Sequence, residues 1–154
     1  MGNSFSVRTL LPGNPTNDKG QRTWNWDSFG RYITVYRRRK GEEFGGHFHK
    51  GDDPAKNPEL FLLLSGVILV KLTDKDGRIS EEFLNASGGP VELVIHPWIL
   101  HEVKALEDCI FIEDRGPSKF DPEKPDSYPA SEFPKHHTCA DADHLERELR
   151  ERKY

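Results

Sequence analysis

Gly45–Gly66 reads GGHFHKGDDPAKNPELFLLLSG: two histidines two positions apart, a polar loop with two prolines, and a glutamate heading an apolar run. Successive side chains of a strand alternate faces, so His47 and His49 are expected on one side and Phe44 and Phe48 on the other. Lys50–Pro58 is rich in turn formers and cannot continue either strand, and Gly66 ends the apolar run. The segment therefore reads as strand, loop, strand, with two imidazoles facing one surface.

The same pattern extends both ways. Short β segments are predicted at RYITVYRRR, EFGGHFH, ELFLLL, VILVKLT, RISEEFL, VELVIH, ILHEVKA and CIFIEDR, with nothing between them long enough for a helix. DKDG at Asp74–Gly77 suits a hairpin and NASGGP at Asn85–Pro90 a wider loop. Eight short strands without interposed helices predict an all-β antiparallel barrel or sandwich over residues 31–115. Residues 1–30 form an N-terminal arm or strands, where Trp24 and Trp26 alternate; plain core packing is the preferred reading, and a strand that closes a barrel mouth or joins a dimer sheet is the alternative. Residues 116–154 belong to the same domain: a proline-rich extended arm, then a short C-terminal helix in DADHLERELRERKY with a narrow stripe of Leu145 and Leu149.

A chain of 154 residues can bury roughly two thirds of the surface its unfolded form exposes, enough for one core. A net charge of -4 offers no excess of cations to neutralise phosphates, which argues against a nucleic-acid partner. The apolar run Leu60–Leu64 is too short to span a bilayer, and Cys109 and Cys139 have neither zinc-ribbon nor disulfide-framework spacing. The expectation is a soluble cytoplasmic chain with no membrane partner and with Cys109 acting as a buried small hydrophobe. Gly2 with Ser6 fits a myristoylation pattern without a supporting basic cluster, and Asn85 opens a glycosylation sequon; neither carries an argument.

Glu59 opens the strand after the histidine pair, and His101 lies on a later one. Three imidazoles and a carboxylate converging inside a small barrel make a nitrogen and oxygen shell suited to a divalent ion, whether Zn, Fe, Mn, Ni or Co. Asp53 competes with Glu59 as the carboxylate; Glu59 is preferred because its distance to Gly66 fixes the register of the apolar strand. His136, His137 and Cys139 lie on the arm without a scaffold to fix their geometry.

These residues resemble the cupins. The family's first motif is a glycine, HxH, a glutamate, and a glycine after six intervening residues; HFH, Glu59 and Gly66 match it, with LFLLLS between the last two. The second motif, PxGxxH, is answered by HPWILH, which ends in His101 but has His96 and Trp98 where proline and glycine are usual. Nine residues separate His49 from Glu59, more than the family's usual three or four. The resemblance implies a jelly-roll barrel, a metal at His47, His49, Glu59 and His101, and dimers that often pair through N-terminal strands.

The stretch HEVKALEDCIFIEDRGPSKFDPEKPDSY is similar to cupins of deoxysugar and capsular polysaccharide biosynthesis. That likeness implies a small-molecule substrate such as a nucleotide sugar, and isomerase or epimerase chemistry by proton transfer beside a carbonyl. With a metal bound, His96 or Tyr36 is the expected base; without one, His47 and His49 move the proton themselves. Arg38, on the same strand face as Tyr36, is the candidate for phosphate, and Trp98 for an aromatic wall against a sugar ring. Two alternatives stand beside this: a non-catalytic binding or sensing cupin, and an Fe²⁺ dioxygenase using the same ligands.

Overall fold

The structure is a computed structural model that describes residues 6–10 and 22–134. The helix expected at the C-terminus, its leucine stripe, and His136, His137 and Cys139 lie outside the described residues, as does Gly2.

Among the described residues ten strands follow in order: β1 (Arg22–Ser28), β2 (Arg31–Arg38), β3 (Glu43–Phe48), β4 (Glu59–Ser65), β5 (Val67–Thr73), β6 (Ile79–Asn85), β7 (Val91–Ile95), β8 (Leu100–Ala105), β9 (Cys109–Gly116) and β10 (Tyr128–Pro129). They form two antiparallel five-stranded sheets, ordered β1-β2-β9-β4-β7 and β10-β3-β8-β5-β6. This is the all-β antiparallel architecture expected from the strand pattern, arranged as the jelly roll that the cupin resemblance implies. Asp74 makes the β5–β6 hairpin tight, accepting from the amides of Asp76 (2.8 Å) and Arg78 (3.0 Å).

The core lies between the sheets, where Leu63, Ile68, Val70, Val103, Ala105 and Phe111 are buried together. Cys109 joins them at 1% exposure, and burial pushes its thiol up to about 11, so it packs as a small apolar side chain. Tyr36 and Phe44 stack on Phe111, with ring centroids 4.7 and 5.3 Å away.

Strict alternation fails at one place. In the β3–β8 ladder Gly45 pairs with Glu102 and His47 with His101, so β3 spends an extra residue at a bulge. Gly45 and Gly46 take φ of 78° and 71°, and a Cβ on Gly45 would lie 2.7 Å from the His101 carbonyl oxygen. The extra residue turns Phe44 to the side of His47, where both line one cavity; Phe48 alone faces away, packed on Trp98, Tyr128 and Phe133. This corrects the expectation that Phe44 and Phe48 share a face.

Beyond Gly116 the chain crosses the barrel and returns as β10, whose Tyr128 and Pro129 pair with Phe48 and His47. Asp126 fastens this arm to the loop after β3, accepting from the amides of Lys50 (2.8 Å), Gly51 (2.8 Å) and Asp53 (3.1 Å). No described helix is long and apolar enough to cross a membrane.

Candidate metal and proton-transfer site

Both sheets contribute to one cluster. His47 on β3 faces His101 on β8 across the ladder, His49 follows β3, and Glu59 enters from β4 of the other sheet. One ring nitrogen from each of the three histidines lies within 4.8 Å of the other two. Glu59, 1% exposed, places Oε2 at 3.0 Å from His49 Nε2 and 3.6 Å from His101 Nε2.

The hydrogen bonds behind two of the rings settle which nitrogens face inward. His49 Nδ1 donates to the Asp126 carbonyl, and His101 Nδ1 donates to the Ile99 carbonyl at 3.2 Å. A carbonyl can only accept, so each Nδ1 carries a proton, and Nε2 is the nitrogen that each ring turns toward Glu59. Imidazoles oriented from behind by backbone carbonyls, beside a buried carboxylate, are a donor set that fits a divalent ion. Burial lowers the His101 ring, and burial plus its histidine neighbours bring His47 down to about 4, so both are neutral and free to ligate at pH 7. Burial alone would raise Glu59, but the His49 hydrogen bond and the Lys56 ammonium outweigh it and hold the carboxyl at about 2.

Asp53 is engaged elsewhere. Its side chain caps the 3₁₀ turn Pro54–Lys56 and bonds the Arg115 guanidinium at 2.6 Å. That turn delivers a residue the sequence reading did not single out: Lys56, which bonds Glu59 Oε1 and sits 2.6 Å from Glu113 Oε1. Glu113 also accepts from Arg115 (3.2 Å) and from the Tyr36 hydroxyl (2.8 Å). An unbroken polar chain therefore runs from Tyr36 through Glu113 and Lys56 to Glu59 and the histidines. Burial would depress the Lys56 ammonium, but Glu113 and Glu59 raise it overall; burial and Glu113 push the Tyr36 phenol well above its ordinary value.

Two cavities adjoin here. An outer one of about 490 Å³ opens between the barrel and the arm, and an inner one of about 160 Å³ lies in the barrel interior. Tyr36, His47, Lys56 and Glu113 line both.

Three of the residues singled out from the sequence stand elsewhere. His96 is exposed and lines a separate surface cleft with Ile99 and Val94, because the turn before β8 carries it outside the barrel. Trp98, at φ 63°, packs its ring on Phe48 (5.4 Å) beneath Lys75 (4.4 Å), while its amide holds the His49 carbonyl at 2.7 Å. It lines neither cavity. Arg38 lines only the inner cavity, so the structure does not set it against a diphosphate in the outer one.

Glu113 and Arg115 did carry a signal. In CIFIEDR, alternation puts them on the same buried face as Cys109 and Phe111, and charged residues on an inward face mark a polar site. Lys56 had no comparable mark beyond the length of its loop.

No family model matches this chain, and no curated protein matches it. Solved structures do. The chain is similar to the capsular polysaccharide assembling protein CapF from Staphylococcus aureus, with a TM-score of 0.63 and 22% identity over 80% of this chain and 33% of that one. It is also similar to a mutant of Bacillus subtilis oxalate decarboxylase OxdC, with a TM-score of 0.59 and 16% identity over 92% and 36%. This chain thus spans about a third of the length of each. The fold is that of a single-domain jelly-roll cupin, and its histidine cluster can hold a metal ion.

Proposed function

We propose that this protein is a metal-binding cupin that moves a proton beside the carbonyl of a small molecule, as an isomerase or epimerase of the nucleotide-linked keto-deoxyhexose class. The observation that carries the reading is the hydrogen bond from the Tyr36 hydroxyl to Glu113 at the junction of two cavities that also meet at His47.

His47, His49, His101 and Glu59 would hold the ion, which supplies Lewis-acid stabilisation of the oxyanion formed when the carbon beside a carbonyl loses a proton. The rest falls to the chain's own residues. A phenol raised above its ordinary value does not exist as free phenolate at pH 7. Tyr36 therefore takes the carbon-bound proton while its own passes to Glu113 Oε2, so the carboxylate becomes a carboxylic acid and the substrate an enolate. Reversal at another position or face completes the step. Lys56 keeps the site's anions from repelling that enolate, and an anionic substrate in the outer cavity would meet Lys119 in its lining. The similarity to a capsule-assembling protein supports a sugar-linked one.

Incubation of metal-loaded protein with a nucleotide-linked 4-keto-6-deoxyhexose in D2O should place deuterium beside the carbonyl. Tyr36→Phe should slow that exchange by about 10²–10⁴-fold with metal content unchanged. Absence of exchange with every such sugar would overturn the reading. A ligand-holding role without turnover is favoured by the pairing of Lys56 with both Glu59 and Glu113. Stoichiometric binding without product, followed by calorimetry and mass spectrometry, would select it, whereas Fe²⁺-dependent oxygen consumption would select a dioxygenase.

A further inference from the structure

The inner cavity has a character of its own. Phe44, Phe61, Leu84, Leu93 and Phe111 make part of its wall apolar, the metal cluster and the Lys56–Glu113 pair make another part, and Arg38 lines it as well. Arg38 is 9% exposed. Among the described residues it makes no ion pair, and its Nε is buried without a hydrogen-bond partner. Only Nη1 is seen bonding, to the Arg37 carbonyl at 2.9 Å and the Arg22 carbonyl at 3.2 Å.

A guanidinium in such surroundings is costly unless an anion meets it. The faces of Tyr36, Phe44 and Phe111, 5.1, 5.5 and 6.0 Å from its central carbon, offset part of that cost but leave the donor unused. Glu42 does not fill the role. One of its oxygens accepts from the Arg39 amide at 3.0 Å, the other is buried without a partner, and it does not line the cavity.

We infer that the inner cavity is a binding site for a compact organic monocarboxylate, its carboxylate on Arg38 and its apolar body against Phe44, Leu84, Leu93 and Phe111. A volume of about 160 Å³ excludes a nucleotide and admits a small branched acid. The anion matches the guanidinium, and the hydrocarbon matches the apolar part of the wall. His47, Glu59 and His101 also line the inner cavity, so an occupant lies against the metal cluster. The inner cavity is shared with the metal cluster, but the inference rests on Arg38 and the apolar wall, which the sugar reaction does not use.

The probe is isobutyrate, with isobutyramide as its uncharged counterpart. Calorimetry on the protein as purified should show isobutyrate binding about 10- to 100-fold more tightly than the amide, and Arg38→Gln should remove that difference. Nuclear Overhauser contacts from the isobutyrate methyls should fall on Leu84 and Leu93. Leu93→Phe, which keeps Arg38 and narrows the cavity, should abolish binding, so the inference remains testable if Arg38→Gln does not fold. Equal affinity for acid and amide, or methyl contacts confined to Trp26 and Phe120 of the outer cavity, would reduce Arg38 to a staple between strand ends and overturn it.

Discussion

Lys56 holds two buried carboxylates apart, bonding Glu59 on one side and Glu113 on the other. Two anions enclosed in a low-dielectric interior without a cation repel strongly and must take up protons or admit water. Lys56→Met is therefore expected to destabilise the fold by about 3–5 kcal/mol, read from urea unfolding, since it removes one partner of buried pairs. Glu59→Ala and His49→Ala remove ligands and should abolish bound metal in elemental analysis, whereas Asp53→Ala should leave metal content unchanged. Metal lost equally in all three would return Asp53 to the ligand set. Single residues were unevenly legible in the sequence. His47, His49, Glu59 and His101 announced themselves because imidazoles and an acid are uncommon at inward positions of apolar strands. His96 and Trp98 misled because motif spacing places a residue along the chain without saying which way a turn points it.

At the scale of the strand, the bulge at Gly45–Gly46 decides which side chains meet. Without the extra residue, Phe44 and His47 would face opposite sides and the inner cavity would lose one of its aromatic walls. Gly45→Ala meets two obstacles, a left-handed φ and a contact at 2.7 Å with the His101 carbonyl oxygen. It should cost about 1–3 kcal/mol in urea unfolding and weaken metal binding by displacing β8. A variant with unchanged stability and metal content would show that the two strands part freely there. The predicted strands match the observed ones because period-two alternation between glycine, aspartate and proline breaks is a strong local signal. The bulge followed from no propensity; two adjacent glycines inside a strand were its only trace.

Across the whole molecule, the arm after Gly116 joins what the sheets leave open. FDPEKPDSY read from sequence as an extended proline-rich stretch and as part of a family likeness, with no sign of its docking, because its contacts are with residues far back in the chain. Asp126 is its anchor: burial alone would raise its carboxyl, but hydrogen bonds from the Lys50, Asp53 and Gly51 amides bring it below the ordinary 3.8. A carboxylate lowered in the folded state stabilises above its unfolded value and loses that contribution as pH falls through the folded one. The stability gap between the natural chain and Asp126→Ala should thus be constant near neutrality and close below pH 3.8, as urea midpoints across that range would show. A gap that persists in acid would assign the anchoring to β10 instead.

The carbonyl that orients His49 belongs to a residue 77 positions downstream. A nascent polypeptide emerging from the ribosome would carry every ligand long before it carried the group that sets the tautomer of one of them. Ion capture is thereby tied to completion of the barrel's outer wrapping, and a prematurely terminated product would possess the histidines without the competent centre.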